Sequence, residues 1–498
     1  MRGIFTPVTQ IRRQVFVEVA KMAYEDSLDK IEELPYKIIP GEVANYRESV
    51  FTERAVVGER IRLALGLNPR KSNSQAPISS GIQKVKELQI STLPLVNVIS
   101  FACKGCPTNS LMVTNNCRGC LAHPCVGVCP VNATSMINGK SNINQDKCIR
   151  CGRCKEACPY NAIVEYDRPC AAACGVDAIK SDEYGRAKID YDRCVSCGQC
   201  IVACPFGAIA DKSQIYQVIR AIKGGKKVIA EVAPAIVGQF GPLASPGKIK
   251  AGIKALGFDD VVEVAVGADL CSISEANHYL NKIKTGENKL IATSCCPSWS
   301  VLAKRDYPEL ADCVSMELTP MVVTARIFKK KYPDSIIVFV GPCSSKKLEA
   351  SVRHSVRSDV DFVITFEELM GMFLAKGIEP GTFENEEYDD ATAIGRGYAY
   401  SGGVADAIKD SVHNIDSSID IPVDRAEGLF ECNKLLKLAK TGKRDGYLLE
   451  GMACPFGCIG GMGTILAPNR TAASIKRLQK DSSLKHADES KFLGSNID

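Results

Sequence analysis

Three short cysteine motifs stand in the second half of the chain: Thr-Ser-Cys-Cys-Pro-Ser-Trp at 293–299, Gly-Pro-Cys-Ser-Ser-Lys-Lys-Leu-Glu at 341–349, and Glu-Gly-Met-Ala-Cys-Pro-Phe-Gly-Cys at 450–458. Each places cysteine at the end of an apolar, strand-like run. Thiolates are soft ligands for iron and zinc. Together the motifs supply four thiolates for one buried metal site, with a spare thiol at Cys295 and a lysine at Lys346.

Sixteen of the 24 cysteines lie upstream, between residues 101 and 210. Cys148-x2-Cys151-x2-Cys154-x3-Cys158-Pro and Cys194-x2-Cys197-x2-Cys200-x3-Cys204-Pro are full bacterial-ferredoxin runs. In two-cluster proteins the fourth cysteine of such a run ligates the other cluster. Cys117-x2-Cys120-x4-Cys125-x3-Cys129-Pro pairs naturally with the first run. Cys129 then joins Cys148, Cys151 and Cys154, and Cys158 joins Cys117, Cys120 and Cys125. Cys170 and Cys174 repeat the Cys125–Cys129 pattern without its CxxC pair, and Cys103-x2-Cys106 stands just upstream. If that pair folds back, Cys103, Cys106, Cys170 and Cys204 form one quartet, and Cys174, Cys194, Cys197 and Cys200 another. The arithmetic closes at four [4Fe-4S] clusters. Three clusters, with Cys103 and Cys106 as free thiols or a separate site, is the alternative. Structural zinc usually takes one or two CxxC pairs rather than such runs. Disulfides fit small secreted domains, not this chain.

The elements that must hold these groups follow from the pattern. At 498 residues the chain needs more than one core. Residues 1–100 read as a helical N-terminal region of no evident role, with helices over 10–32 and 50–66 and a linker at 68–81. Residues 101–210 form the ferredoxin-like block. From 211 to 465 strands alternate with helices, with strands expected at 227–232, 261–266, 290–293, 335–340, 362–365 and 447–450. Residues 466–498 read as a polar surface extension. The expected fold is therefore α+β and multidomain: ferredoxin-like iron–sulfur domains, then a two-lobed α/β catalytic domain with parallel sheets. Ligands in such sheets gather at the carboxyl ends of strands, where all three motifs fall.

The formal charge is +5 with cysteines counted neutral. Four cubanes at roughly −2 each would make the holoprotein acidic, so the cations carry no nucleic-acid inference. No run approaches the roughly 18 apolar residues of a membrane helix. The N-terminus lacks a signal-peptide pattern, so a cytoplasmic location is expected.

The three-motif set closely resembles the active-site signature of the [FeFe]-hydrogenases, over roughly 115–465. The resemblance implies an H-cluster: a [4Fe-4S] cube bridged by one thiolate to a two-iron subsite with CO, cyanide and a dithiolate. Carried over by motif, Cys296, Cys343 and Cys454 ligate the cube and Cys458 is the bridging thiolate. Lys346 pairs with a cyanide ligand, Ser345 offers a further donor, Met452 packs on the two-iron unit, and Ala233-Pro234 encloses the second cyanide. Cys295 passes protons to a relay that falls on Glu275, Ser315 and His278, the last standing where the family has a glutamate. The implied activity is interconversion of H2 with protons and electrons, with ferredoxin as electron partner and maturation proteins supplying the two-iron unit. A hydrogen sensor and an iron–sulfur assembly protein are the competing readings. The chain departs from the family at Ser298, Met321, Gly341 and Gly460-Gly461-Met462-Gly463-Thr464. Cys271, Cys313 and Cys432 are expected in the core.

Overall fold

A computed structural model describes residues 1–71, 73, 75–86, 93–287, 289–351 and 358–495. The chain opens with helix α1 (Pro7–Tyr24), started by the Thr6 hydroxyl, which accepts from the Thr9 amide, and by proline at its first turn. The helix expected over 10–32 ends early, and Leu28–Glu33 tightens into a 3-10 turn. Helix α2 (Val50–Ala64) is capped by Ser49.

The cysteine-rich block is built from short antiparallel pairs: β1 (Val96–Val98), β2 (Ser110–Val113), β3 (Thr134–Ile137), β4 (Lys140–Ile143), β5 (Ile163–Tyr166), β6 (Ile179–Ser181), β7 (Ala187–Ile189) and β8 (Ile209–Asp211). The pairs are β2 with β5, β3 with β4, β6 with β7, and β1 with β8. The cysteine loops lie between them, and one short helix, α3 (Gln199–Ala203), carries Cys200.

Two parallel sheets follow. The first is ordered β10 (Asp260–Glu263), β9 (Val228–Val232), β12 (Ile336–Gly341), β13 (Phe362–Thr365). The second is ordered β11 (Ile291–Ala292), β15 (Leu448–Met452), β14 (Val423–Glu427). Strands β9, β13 and β15 are buried throughout, and β12 at all but its first residue, which explains their near-continuous apolar runs. The strand expected at 261–266 stops at Glu263, and helix α4 (Ala265–Lys284) begins there. Among the helices that flank the sheets are α5 (Pro297–Asp306), α6 (Ser344–Ser351) and α7 (Phe366–Lys376). Thr365 and Glu368 form a reciprocal capping box at the start of α7.

The two N-terminal helices share a core with the larger sheet. Val15, Phe16 and Val19 of α1 and Val57 and Ile61 of α2 belong to one apolar cluster with Val228, Val338 and Ile364. The segment expected as a surface extension also folds back: helix α8 (Pro468–Asp481) buries Ile475 in that cluster. Among the described residues no helix is long and apolar enough to cross a membrane.

Candidate metal centre

The carboxyl ends of β11, β12 and β15 converge and deliver the three cysteine motifs to one cavity of about 90 Å³. Cys295, Cys296, Cys343, Cys454 and Cys458 all line it, with Ala233, Pro234, Ser345, Lys346 and Met452. Local structure presents the thiols. Pro297 opens α5, leaving Cys296 as its N-cap, and α6 begins at Ser344, directly after Cys343. Backbone amides therefore point at both sulfurs: those of Ala453, Trp299 and Ser298 at Cys296, and those of Lys346 and Ser345 at Cys343. Burial pushes the thiol of Cys343 up to about 11 and that of Cys458 up to about 12, with neighbouring cysteines raising both further. These sulfurs keep their protons unless a metal replaces them.

Lys346 is half-buried beside these thiols. Its ammonium donates to Glu349 Oε2 at 2.6 Å and Thr319 Oγ1 at 3.3 Å. Ser345 lines the cavity, and its hydroxyl bonds to Ser298 and to the carbonyls of Val195 and Ser196. It thus ties the start of α6 to the loop before Cys197. Ser298, one of the departures, is part of that tie, with its hydroxyl 2.8 Å from the Val195 carbonyl. Met462, another departure, is fully buried against Gly198, where a β-carbon would stand 2.6 Å from its Cγ. Met321 lines the cavity itself.

Glu275 on α4 is buried, and its carboxyl is pushed up to about 8, chiefly by burial; a Ser315 hydrogen bond opposes this and the Glu317 charge adds to it. The Ser315 hydroxyl accepts the Glu317 amide at 3.1 Å. His278 does not stand alone at the outer end: its Nδ1 lies 3.6 Å from Glu317 Oε1. Sequence reasoning missed Glu317, although an acid two residues after Ser315 was a readable signal. It also missed Gln199, whose Nε2 donates to Cys454 Sγ at 3.2 Å. Cys271, Cys313 and Cys432 are buried, as expected of core residues.

Two of the four expected accessory quartets each surround a small cavity. Cys103, Cys106, Cys170 and Cys204 line one small cavity. Cys117, Cys120, Cys125 and Cys158 line another. Cys154 lies within electrostatic reach of Cys148 and Cys129, and Cys200 of Cys197, Cys194 and Cys174. Cys151 is exposed on its loop. Among the described residues no three such side chains close on a single-ion site. Quartets that each embrace a whole cluster do not need to.

Parallel sheets that aim cysteines into one cavity, beside a block of ferredoxin-type cysteine runs, define an iron–sulfur protein. The comparisons narrow this. Residues 226–462 match the iron-only hydrogenase large subunit, C-terminal domain, and residues 142–164 and 187–210 match the 4Fe-4S binding domain. The chain is 30% identical to iron hydrogenase 1 of Clostridium pasteurianum, over 67% of each protein. It is 29% identical to the NADP-reducing hydrogenase subunit HndD of Solidesulfovibrio fructosivorans, over 65% of this chain and 56% of that one. It is also 24% identical to Protein NAR1 of Arabidopsis thaliana, over 54% of this chain and 71% of that one. An apo [FeFe]-hydrogenase from Chlamydomonas reinhardtii shares the fold, with a TM-score of 0.50 and 22% identity over 56% of this chain and 92% of that one. The chain belongs to the iron-only hydrogenase family, in a divergent branch that also has likeness to iron–sulfur assembly factors.

Proposed function

We propose that the chain is an [FeFe]-hydrogenase that interconverts H2 with protons and electrons. The observation that carries this reading is the single cavity lined by Cys295, Cys296, Cys343, Cys454, Cys458 and Lys346. Four thiols suffice for a cube and Cys197, which also lines the cavity, falls in an accessory quartet, so Cys295 and the lysine are superfluous for one. Their presence in the same cavity supports a larger group with its own polar ligands.

The residues fit that group. Cys296, Cys343 and Cys454 would hold the cube, and Cys458 would hold the cube and the two-iron unit together. When bound, the H-cluster supplies the iron at which hydrogen is made or split. The protein's share is positioning, charge and protons. Lys346, already anchored by Glu349, would present its ammonium to a cyanide. Ala233-Pro234 and Met452, which line the cavity, would enclose the group and exclude water. The Cys295 thiol is buried and pushed well up by that burial, so it holds a proton beside the cavity. Glu275, Ser315 and the Glu317–His278 pair would carry protons outward from it. Electrons would pass through four accessory [4Fe-4S] clusters, to or from ferredoxin or a similar small carrier. Maturation proteins would supply the two-iron unit, and the setting is cytoplasmic.

A second reading, an iron–sulfur assembly factor, is favoured by the likeness to Protein NAR1. Hydrogen evolution decides between them. The protein is loaded with a two-iron unit and assayed with reduced viologen. The proposal requires H2 from the loaded protein and none from the unloaded one. No H2 from either leaves only the second reading.

A further inference from the structure

The N-terminal arm reaches the candidate metal centre. Arg2 Nη2 donates to Gln199 Oε1 at 2.7 Å, and Arg2 Nε donates to the Gly460 carbonyl at 2.5 Å. Gln199 then turns its Nε2 onto Cys454 Sγ at 3.2 Å. The arm is seated independently of these side chains. The Arg2 amide donates to Thr464 O at 3.2 Å and the Gly3 amide to Ile465 O at 2.9 Å. At Gly3 the approach is so close, at φ +76°, that a β-carbon would meet Ala467 at 2.9 Å.

The placement of Gln199 is unusual. In the chain it stands between Cys197 and Cys200 of one quartet, while its side chain contacts Cys454 of the other. An amide free to rotate would give that sulfur an intermittent donor. Arg2 removes the freedom, because one planar guanidinium spans Gln199 and Gly460 at once.

We infer that Arg2 is a positioning residue that locks Gln199 into donating to Cys454, and so sets the reduction potential of the cube at Cys454. An N–H donor to a cluster sulfur stabilises the more negative, reduced form and raises the potential. The arm thereby biases electron transfer between the adjacent accessory cluster and the catalytic cube. This gives the first residues of the chain a role in the redox centre. The inference rests on the reading that Cys454 holds a cube; it does not need the two-iron unit.

The test uses the full chain with its [4Fe-4S] clusters and no two-iron unit. The cube signal is identified in electron paramagnetic resonance by its loss in Cys343→Ala, and its midpoint is followed by potentiometric titration. Gln199→Leu should move the midpoint to more negative potential. Arg2→Ala should move it the same way by a smaller amount, and the double variant should add little to Gln199→Leu. Arg2→Lys should behave like Arg2→Ala, since the charge remains but the two-pronged hold is lost. A midpoint restored fully by Arg2→Lys would assign the effect to charge and overturn the positioning role. An unmoved midpoint in Gln199→Leu would overturn the inference and leave the cube assignment standing. A wild-type protein with no cube signal dependent on Cys343 would sink both.

Discussion

The ring of Phe339 occupies the space that any side chain on Gly341 would need: a β-carbon built on Gly341 falls 2.3 Å from Phe339 Cε1. The two residues lie on one face of β12, and Phe339 lines the cavity. Glycine at 341, one of the departures from the family, therefore leaves no hole, because a neighbour on the same strand fills the place. Gly341→Met should cost about 1–3 kcal/mol by overpacking. Combining it with Phe339→Ala should cost less than the sum of the two single changes, with a coupling above about 1 kcal/mol. Urea unfolding of the four proteins checks this. Additive costs would mean that the two positions do not share the space.

The buried carboxyl of Glu275 gives a pH signature. Its folded value of about 8 lies above the ordinary carboxylate range, so the folded protein keeps a proton that the unfolded chain releases. As pH rises through about 8 the relay loses that proton, and the H2-evolution rate should fall with an inflection there. Glu317 raises the value through its charge. Glu317→Gln should therefore move the inflection to lower pH, and Glu317→Asp should restore most of it. The same sign governs stability, which should decline between about pH 4.3 and 8, a slope that Glu275→Gln flattens.

A buried ion cluster joins the three parts of the chain. The Lys347 ammonium donates to Asp211 Oδ2 and Glu368 Oε1, each at 2.8 Å, and to the Lys212 carbonyl at 2.7 Å. Arg12 of α1 reaches Asp211 at 3.3 Å from the other side. Burial alone would raise the Asp211 carboxyl, but Lys347 and Arg12 hold it below its usual value. Lys347→Met should cost about 3–5 kcal/mol, because it leaves buried Glu368 without its ion pair and buried Asp211 with Arg12 alone. Since the folded value of Asp211 is depressed, its contribution is present at neutral pH and lost as pH falls through that value. Thermal unfolding of Lys347→Met across the acid range should show a smaller loss than the parent protein.

Much of the site was legible because cysteine spacing is a local property. The runs at 148–158 and 194–204 and the repeat at 170–174 carry their partners in their pattern, and the grouping of Cys158 with Cys117, Cys120 and Cys125 follows from it. Strand β13 was readable because Phe-Val-Ile-Thr is buried throughout. Strand β14 was not, since Val-Asp-Arg-Ala-Glu pairs on one side only and puts charges at the sheet edge. The start of α4 was misread because Val264, Ala265 and Val266 are apolar in either conformation. The direction of the Ser345 hydroxyl, the pairing of Glu317 with His278 and the reach of Arg2 depend on contacts across tens to hundreds of residues, which no local pattern encodes. The sparse apolar stripe of α8 hid the burial of Ile475.

The central claim is that the cavity between Cys295, Cys343 and Cys458 holds a two-iron unit with CO and cyanide ligands. The direct measurement is the infrared spectrum of the chain produced with the maturation machinery. The account predicts sharp bands of iron-bound CO and cyanide, with the cyanide bands shifted in Lys346→Met. A protein that carries its [4Fe-4S] clusters and no such bands would contradict it.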